Sequence, residues 1–208
     1  SRIGASGQHP EGRFFPDTYR FTRGTSDADL LRRAYARLEQ VLEEEWQQRA
    51  RELPYKDAYQ ALIMASIIEK ETGVPGERGE IAGVFVRRLA RGMLLQTDPT
   101  VIYGMGEKYK GRITRADLRT PTRYNTYTNA GLPPTPIAMV GREAIHAALH
   151  PADGTSLYFV ARGDGSHVFS DTLNQHNRAV REYQLKRRAD YRSSPPPRQA
   201  PADNGNVQ

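Results

Sequence analysis

Residues 61–75 read ALIMASIIEKETGVP, and the rest of the chain is organised around them. A run of apolar and small residues leads into two glutamates, and Gly73 and Pro75 then end the helix. A helix that is apolar nearly all round is buried in a globular protein. We therefore expect a central buried helix whose last turn carries Glu69 and Glu71 out of the core.

The two glutamates have a functional and a structural interpretation. Negative charge is unfavourable at a helix C-terminus, where the dipole prefers cations, so these acids are mildly costly. Costly charges mark functional sites often enough to be examined. Solvated residues at a helix end explain this stretch by itself equally well.

Helical geometry separates the two acids. At about 100° per residue, Glu71 lies on the strongly apolar side with Met64 and Ile67, whereas Glu69 lies on the opposite side with Ser66. Burial raises the pKa of a carboxyl group and can keep it protonated near neutral pH, as a general acid requires. The sequence therefore predicts Glu71 as the acid/base and Glu69 as its neighbour or as a salt-bridge partner.

Composition limits the class of protein. The chain has 208 residues, a formal net charge of +6 and no cysteine. The lack of cysteine excludes disulfides, thiol catalysis and cysteine-ligated metal. A basic chain favours polyanions, anionic lipid surfaces or an acidic polymer such as the cell wall. Nucleic acid is the simplest of these partners, but the basic residues are scattered and no nucleic-acid-binding motif is present, so we do not expect it.

The chain divides into three parts. Residues 1–12 are predicted to be a flexible segment, residues 13–191 a single folded domain, and the Pro- and Asn-bearing residues 192–208 a disordered tail. The sequence contains no signal-peptide pattern and no transmembrane run. Because the chain begins at Ser1 without methionine, we interpret it as a fragment from which a targeting segment has been removed.

The pattern within the domain predicts an α+β fold that is rich in helix, with a small antiparallel sheet and long ordered polar loops. Ser26 is an N-cap, and apolar residues at helical spacing extend its helix to Trp46, with the acidic run 43–45 on a solvated face. The other predicted elements are helices over 80–92, from the N-cap/N1 pair Asp98-Pro99, over 114–118, over 141–150 and from Thr172, and a hairpin of 157–161 with 167–170.

Residues 120–136 are rich in proline, hydroxyl and amide groups, so they cannot form a regular helix or strand. Long ordered loops in compact domains tend to be functional. The flat faces and hydrogen-bonding edges of Tyr124, Asn125, Thr126 and Tyr127 suit a sugar. The alternative is a loop that only satisfies its own backbone.

The motifs of several enzyme classes are missing. The histidines do not form an HExxH pattern, and His146 and His150 at i, i+4 supply only two metal ligands, so we predict neither a metal site nor a cofactor. No serine lies in a GxSxG motif. A candidate acid, a polar loop and a basic chain remain, and this combination suits carbohydrate cleavage.

Ordinary glycosidases need two carboxylates that flank the bond. Asp98 could be the second one, although its position before Pro99 is typical of a helix N-cap. If Glu71 is the only catalytic carboxyl group, the substrate must supply its own nucleophile.

Several motifs together resemble the YceG-like endolytic murein transglycosylases, in the same order and over about residues 13–185. They are RFFPDTY (13–19), ASIIEKET (65–72), LQTDPTVIYG (95–104), YNTY (124–127), GLPP (131–134), HP (150–151) and LYFV (157–160).

This resemblance implies that residues 13–191 are a catalytic domain that cuts nascent peptidoglycan strands internally, between MurNAc and GlcNAc and without water. The second glutamate of the EKET motif, Glu71, would protonate the glycosidic oxygen and then help the MurNAc 6-hydroxyl to attack C1, giving a 1,6-anhydro end. The residues expected to line the cleft, besides Glu69, are Gln96, Thr97, Asp98, Tyr103, Tyr124, Asn125, Thr126 and Tyr127.

The family pattern normally begins with a membrane anchor and a LysM-like region, neither of which is visible in this chain. The resemblance implies an enzyme at the periplasmic face of the bacterial inner membrane, with glycan strands as substrate and the cell-wall synthesis machinery as a partner. Two alternatives stay open at this point. One is a muramidase that uses water, and the other is a non-catalytic glycan-binding or divisome scaffold module.

Overall fold

The structure is a computed structural model that describes residues 7–71 and 73–185. It is an α+β fold, rich in helix, as the sequence predicts. The helices are α1 (Asp27–Gln47), α2 (Ala58–Glu71), α3 (Arg78–Ala90), α4 (Asp98–Met105), α5 (Arg115–Arg119), α6 (Arg142–Leu149) and α7 (Leu173–Val180); the strands are β1 (Tyr158–Ala161) and β2 (His167–Ser170). Short 3₁₀ turns span Pro75–Glu77 and Gly106–Lys108, and a π turn, Arg181–Leu185, follows α7.

Helix α2 is the centre of the core, which confirms the prediction for residues 61–75. Every residue from Ala61 to Ile68 is buried, and α1, α3, α4 and α6 all pack against this helix. Each large apolar side chain buried in this way contributes about 1.5–3 kcal/mol. Buried Ser66 is also satisfied, because its hydroxyl donates to the carbonyl of Ile63 (2.7 Å) and accepts the N–H of Ile137 (2.9 Å).

Helix α1 begins as predicted, but its acidic run is only partly solvated. Ser26 and Asp29 form a capping box at its start. The prediction of a solvated face over residues 43–45 is wrong for Glu45, whose exposed fraction is 7%. Helix α6 packs against α1 at this point, and its side chains cover the Glu45 carboxylate.

Helix α4 begins one residue earlier than the pair Asp98-Pro99 suggests. Its N-cap is Thr97, so Asp98 is the first helical residue and not the cap. The Thr97 side chain makes no capping hydrogen bond, because its hydroxyl is used elsewhere. This shift by one residue places two polar side chains, Thr97 and Asp98, at the same helix end.

The predicted hairpin is present as a two-stranded antiparallel sheet. Tyr158 pairs with Ser170 and Ala161 pairs with His167. Helix α7 packs on both strands, and the ring of Phe159 meets that of Phe85 on α3 edge to face, with centroids 5.6 Å apart. The hairpin is therefore fixed to the helical core by α3 on one side and by α7 on the other.

The outer parts of the predicted domain division fall largely beyond what the structure describes. Residues 1–6, the basic residues 186–188 and the predicted tail 192–208 all lie outside the described residues. Within residues 7–71 and 73–185, no helix has the length and apolar character needed to span a membrane.

Candidate active site

A cleft of about 1040 Å³ lies between the C-terminal end of α2, the start of α4, the hairpin and α7. Glu69 and Glu71 reach it from α2, Gln96 and Asp98 from the start of α4, and Tyr127 from the polar loop. Polar groups thus converge from distant parts of the chain. A large concave surface that contains a titratable group of perturbed pKa meets a physical criterion for a functional site.

Glu71 is the acid whose environment is most altered. The pKa of this carboxyl group is raised to about 7, mainly because the group is buried. A hydrogen bond from the Thr97 hydroxyl opposes the rise, and the negative charge of Asp98 adds to it. Its protonated and ionised forms are therefore both populated near neutral pH. The predicted desolvation of Glu71 is confirmed.

Hydrogen bonds with two other threonines hold the backbone of Thr97 in place. Thr97 is 2% exposed, and its N–H donates to the hydroxyl oxygen of Thr126 (3.1 Å). The Thr126 hydroxyl is hydrogen-bonded to that of Thr100 (2.8 Å), and the Thr100 hydroxyl donates to the Thr97 carbonyl (2.7 Å). The backbone of the residue that contacts Glu71 is therefore held at both its N–H and its carbonyl.

Asp98 and Tyr127 form a second pair beside Glu71. The Tyr127 hydroxyl donates to Asp98 Oδ1 at 2.6 Å. Burial raises the pKa of Tyr127, and the hydrogen bond and charge of Asp98 raise it further. Tyr127 therefore remains a hydrogen-bond donor, while Asp98 presents a carboxylate at the exposed edge of the cleft.

Gln96 has an unusual backbone conformation at the cleft. Its φ is 52°, in the left-handed region that residues other than glycine rarely adopt, and its side chain is exposed on the cleft wall. A hydrogen bond from its N–H to the carbonyl of Thr126 (3.2 Å) helps to hold this conformation. Such strain is concentrated at functional sites, where the surrounding structure determines it.

Glu69 has a structural partner. Its Oε2 accepts the N–H of Gly141 at 3.3 Å, at the N-terminal end of α6. A carboxylate is favourable there because the helix dipole is positive at that end. The partner is thus a backbone amide and not the cation that a salt bridge would require.

Five of the predicted residues do not line the cleft: Thr97, Tyr103, Tyr124, Asn125 and Thr126. Asn125 and Thr126 are buried, and the Asn125 side chain binds the backbone, donating to the carbonyl of Thr120 (2.8 Å) and accepting the N–H of Tyr127 (2.8 Å). Their side chains shape the loop and are closed to a substrate in this conformation.

Tyr103 and Tyr124 lie together, away from the cleft wall. Their rings meet edge to face with centroids 4.7 Å apart, the Tyr103 hydroxyl donates to Glu11 (3.3 Å), and the Tyr124 hydroxyl is bonded to that of Thr135 (2.9 Å). Burial, followed by the charge of Glu11, raises the pKa of Tyr103 to about 12. The structure thus brings Glu71, Thr97, Asp98 and Tyr127 together, but leaves these two tyrosines outside that group.

The sequence analysis did not identify the residues of the cleft wall that is formed by the hairpin and α7. Tyr158 lies between the Arg88 guanidinium, 5.0 Å from its ring centroid, and His176, whose ring stacks on it at 5.3 Å. His167 Nδ1 lies 2.7 Å from Glu77 Oε2, and the His167 N–H donates to the other oxygen of the same carboxylate (2.9 Å). These contacts join residues far apart in the chain, so no local spacing could have indicated them.

The sequence gives no indication of the structural role of Arg88. Its position near the end of α3 is explained by the helix dipole alone. In the structure Arg88 is buried, and its guanidinium donates to the carbonyls of Leu157 (2.6 Å) and Leu95 (2.9 Å). It therefore links the residue before β1 to the segment that leads into α4, two parts of the chain that border the cleft.

The cleft offers groups for acid/base chemistry. Among the described residues, only Glu45, His146 and His150 bring three metal-ligating groups together, and they lie on and next to α1 and α6, outside the cleft. What the cleft contains is one acid with a pKa near neutrality, a fixed hydroxyl donor beside it, and an aromatic wall opposite.

The model of the YceG-like family matches residues 2–182 of the chain. The chain belongs to this family. A curated relative from Bacillus subtilis (strain 168), an endolytic murein transglycosylase, is 40% identical over 177 residues, which are 85% of this chain and 49% of the relative. A relative of the same name from Streptococcus pneumoniae serotype 2 (strain D39) is 30% identical over 179 residues, 83% of this chain and 32% of the relative.

A solved structure supports the fold of this YceG-like chain. The crystal structure of a yceG-like protein from Listeria monocytogenes has a TM-score of 0.70 and 39% sequence identity, over 80% of this chain and 54% of that one. The chain therefore spans about half the length of the B. subtilis relative and of the Listeria protein, and about a third of the pneumococcal relative.

Proposed function

We propose that this YceG-like chain is the catalytic part of an endolytic peptidoglycan lytic transglycosylase, which cleaves the bond between MurNAc and GlcNAc and leaves a 1,6-anhydroMurNAc end. The observation that carries this proposal is the pKa of about 7 of Glu71, at the floor of a cleft large enough for sugar rings. The names of the relatives from Bacillus and Streptococcus support the same reaction.

Glu71 performs both proton transfers. Its protonated form donates to the glycosidic oxygen, the bond from that oxygen to MurNAc C1 breaks, and GlcNAc leaves with a hydroxyl group. The MurNAc 6-oxygen attacks C1, and its proton passes to the Glu71 carboxylate, which regenerates the acid without water. A pKa close to the working pH is what a group that must both donate and accept a proton requires.

Thr97 and Asp98 adjust this acid from opposite directions. The Thr97 hydroxyl orients the Glu71 carboxyl group and stabilises its ionised form, which is the base of the second step. The charge of Asp98 favours the protonated form, which is the acid of the first step. Gln96, Asp98 and Tyr127 line the cleft together with Glu69, and these three can contact a sugar directly.

The other predicted binding residues act indirectly. Asn125 and Thr126 shape the loop that carries Tyr127, and Glu69 fixes the start of α6 against α2. On the opposite wall, the exposed parts of Tyr158 and Phe159 offer aromatic surface on which a sugar ring can stack.

The substrate and setting follow from this reaction. Glycan strands of peptidoglycan are the substrate, and the protein acts in the bacterial cell envelope. An anchor outside this chain would hold it at the periplasmic face of the inner membrane, beside the cell-wall synthesis machinery. A net charge of +6 suits an acidic polymer.

A muramidase is the second candidate, because Asp98 is close enough to raise the pKa of Glu71. A second carboxylate of this kind could activate a water molecule, as in inverting glycosidases. The two reactions differ in product, since hydrolysis leaves a reducing end that is heavier by one molecule of water than the anhydro end.

Mass spectrometry of muropeptides tests both candidates. Purified sacculi are digested with the wild-type chain, with Glu71→Gln, and with Glu69→Gln as the matched control two residues away. We expect anhydro ends from the wild type, a loss of at least about 100-fold in Glu71→Gln, and most of the cleavage retained in Glu69→Gln. Reducing ends would favour the muramidase. Cleavage that survives in Glu71→Gln would remove Glu71 as the acid, and a wild type that never cleaves would favour a glycan-binding or scaffold module.

A further inference from the structure

A second cluster of titratable groups lies between α1 and α6, outside the cleft. We define this α1–α6 seam by Glu45 on α1 and by Arg142, His146 and His150 on and next to α6. Glu45 has an exposed fraction of only 7%, so its carboxylate is largely removed from water. A buried carboxylate is stable only when its oxygens are compensated.

Each oxygen of the Glu45 carboxylate has its own partner. Arg142 Nη1 donates to Oε1 at 2.8 Å, and His146 Nδ1 lies 2.8 Å from Oε2. A second nitrogen of Arg142 binds Glu44. The guanidinium therefore occupies one side of the Glu45 carboxylate and leaves the other side to the histidines.

The two histidine rings face each other over this free side. Their centroids are 4.3 Å apart and their planes differ by 26°, as in a stacked pair. An imidazole ring offers a nitrogen lone pair of the kind that a metal needs, and this pair of rings places two such groups side by side.

We propose that Glu45, His146 and His150 form a zinc site that links α1 to α6. One potential ligand atom from each residue lies within 4.8 Å of the others. Two imidazoles and one carboxylate are a donor set that Zn²⁺ accepts, with bonds of about 2.0–2.2 Å. The exposed His146 side chain can shorten these separations by small rotations, and a water molecule completes the tetrahedron.

The simpler interpretation is that His146 only provides a hydrogen-bond partner for the buried Glu45 carboxylate. The two interpretations differ in what happens when metal is added. Zn²⁺ would replace the proton between His146 and Glu45 Oε2, while Arg142 keeps Oε1 and acts as the outer partner that orients the carboxylate. This site is independent of the function proposed for the cleft, because none of its ligands lines that cleft.

Metal titration of the 208-residue chain, first stripped with a chelator, tests the proposal. Zn²⁺ binding is measured by calorimetry, and Co²⁺ is added to report tetrahedral coordination by its visible absorption. The variants are His146→Gln and His150→Gln, with His9→Gln as the control because His9 is an exposed histidine outside this cluster.

We expect one equivalent of Zn²⁺ and a tetrahedral Co²⁺ spectrum in the wild type and in His9→Gln. Each of the other two variants should weaken binding by about tenfold or more, since loss of even an outer-shell partner costs that much. Circular dichroism verifies that each variant is folded, and His146→Gln, being on the surface, should remain so. Absence of saturable binding, or equal binding in all three variants, would overturn the proposal.

Discussion

The cleft and the α1–α6 seam each contain a glutamate withdrawn from water, but their partners differ in charge. Glu71 meets a neutral hydroxyl and the negative charge of Asp98, and its pKa is raised to about 7. Glu45 meets the Arg142 guanidinium and His146. A cation compensates the buried charge of Glu45 in the seam, whereas the groups that shift the pKa of Glu71, among the described residues, include no cation.

The comparison shows that burial alone does not decide what an acid does. A carboxylate beside a guanidinium holds two helices together, and its charge is part of the fold. A carboxylate without a cation is costly to ionise, so its proton can be exchanged with a substrate. The same side chain is thus structural in one region and suited to acid/base chemistry in the other.

The largest expected effect is on the stability of the Glu71→Gln variant. Because the pKa of Glu71 is raised from 4.5 to about 7 on folding, its ionisation destabilises the folded state above pH 7 by about 3 kcal/mol, and this cost disappears below pH 4.5, where both states are protonated. The variant should therefore be more stable than the wild type by up to about 3 kcal/mol at pH 8, and about equally stable at pH 4.5.

Urea denaturation at the two pH values measures this difference. Glu69→Gln is the matched control, because the Glu69 carboxylate is stabilised by the Gly141 N–H and the start of α6. It should show no gain at pH 8. An equal gain in both variants would contradict the distinction between the two acids.

Glu45→Gln tests the other side of the comparison. The variant removes the negative charge of Glu45 that compensates Arg142. Arg142 remains partly exposed and bound to Glu44, which limits the damage. We therefore expect a loss of about 2 kcal/mol in the free energy of unfolding. Cleavage of peptidoglycan per folded molecule should not change. The measurement is urea denaturation in the presence of a chelator. A variant that keeps its stability but cleaves peptidoglycan more slowly would mean that the seam influences catalysis in the cleft.

Two variants of Glu71's neighbours should move the pH profile in opposite directions. Cleavage requires the protonated acid and should decline as pH rises through about 7. Thr97→Val removes the hydrogen bond that favours the ionised form, so the decline moves to higher pH. Asp98→Asn removes a negative charge, so it moves to lower pH. The dependence of kcat/KM on pH is the measurement, and shifts in the same direction would refute the arrangement.

The smallest expected effect concerns the strained backbone of Gln96. Glycine adopts φ near +52° without steric cost, so Gln96→Gly should raise the free energy of unfolding by about 1 kcal/mol or less. Gln96→Ala keeps the strain and should not be stabilised. Both variants lose the cleft-facing amide and should have a higher KM; if the two are equally stable, the strain is not significant.

Much of the fold could be predicted from local sequence, and the site only in part. Ser26, Thr114 and Thr172 mark helix starts that the structure confirms as capping boxes. The start of α4 was misjudged by one residue, because Asp98-Pro99 and Thr97-Asp98 are both acceptable cap sequences. The two cap sequences are distinguished by the hydrogen bond from the Thr97 hydroxyl to Glu71, which joins residues 26 positions apart in the chain.

The helical-face argument for Glu71 shows the same limit. It assumed one apolar side of α2, but residues on all sides from Ala61 to Ile68 are buried, so the face alone does not separate Glu69 from Glu71. The separation comes from what lies beyond the helix end. Glu69 meets the Gly141 amide, and Glu71 meets α4.

By itself, the sequence determined the buried central helix, the caps, the hairpin and the family, because apolar periodicity, capping and turn residues act over a few positions. Only the tertiary structure decided which glutamate is desolvated beside a hydroxyl, which loop residues face the cleft, and that Glu45 joins His146 across 101 residues of chain. The physical reason is that the pKa of an acid and the ligand set of a metal depend on through-space distances of a few ångströms, which packing alone determines.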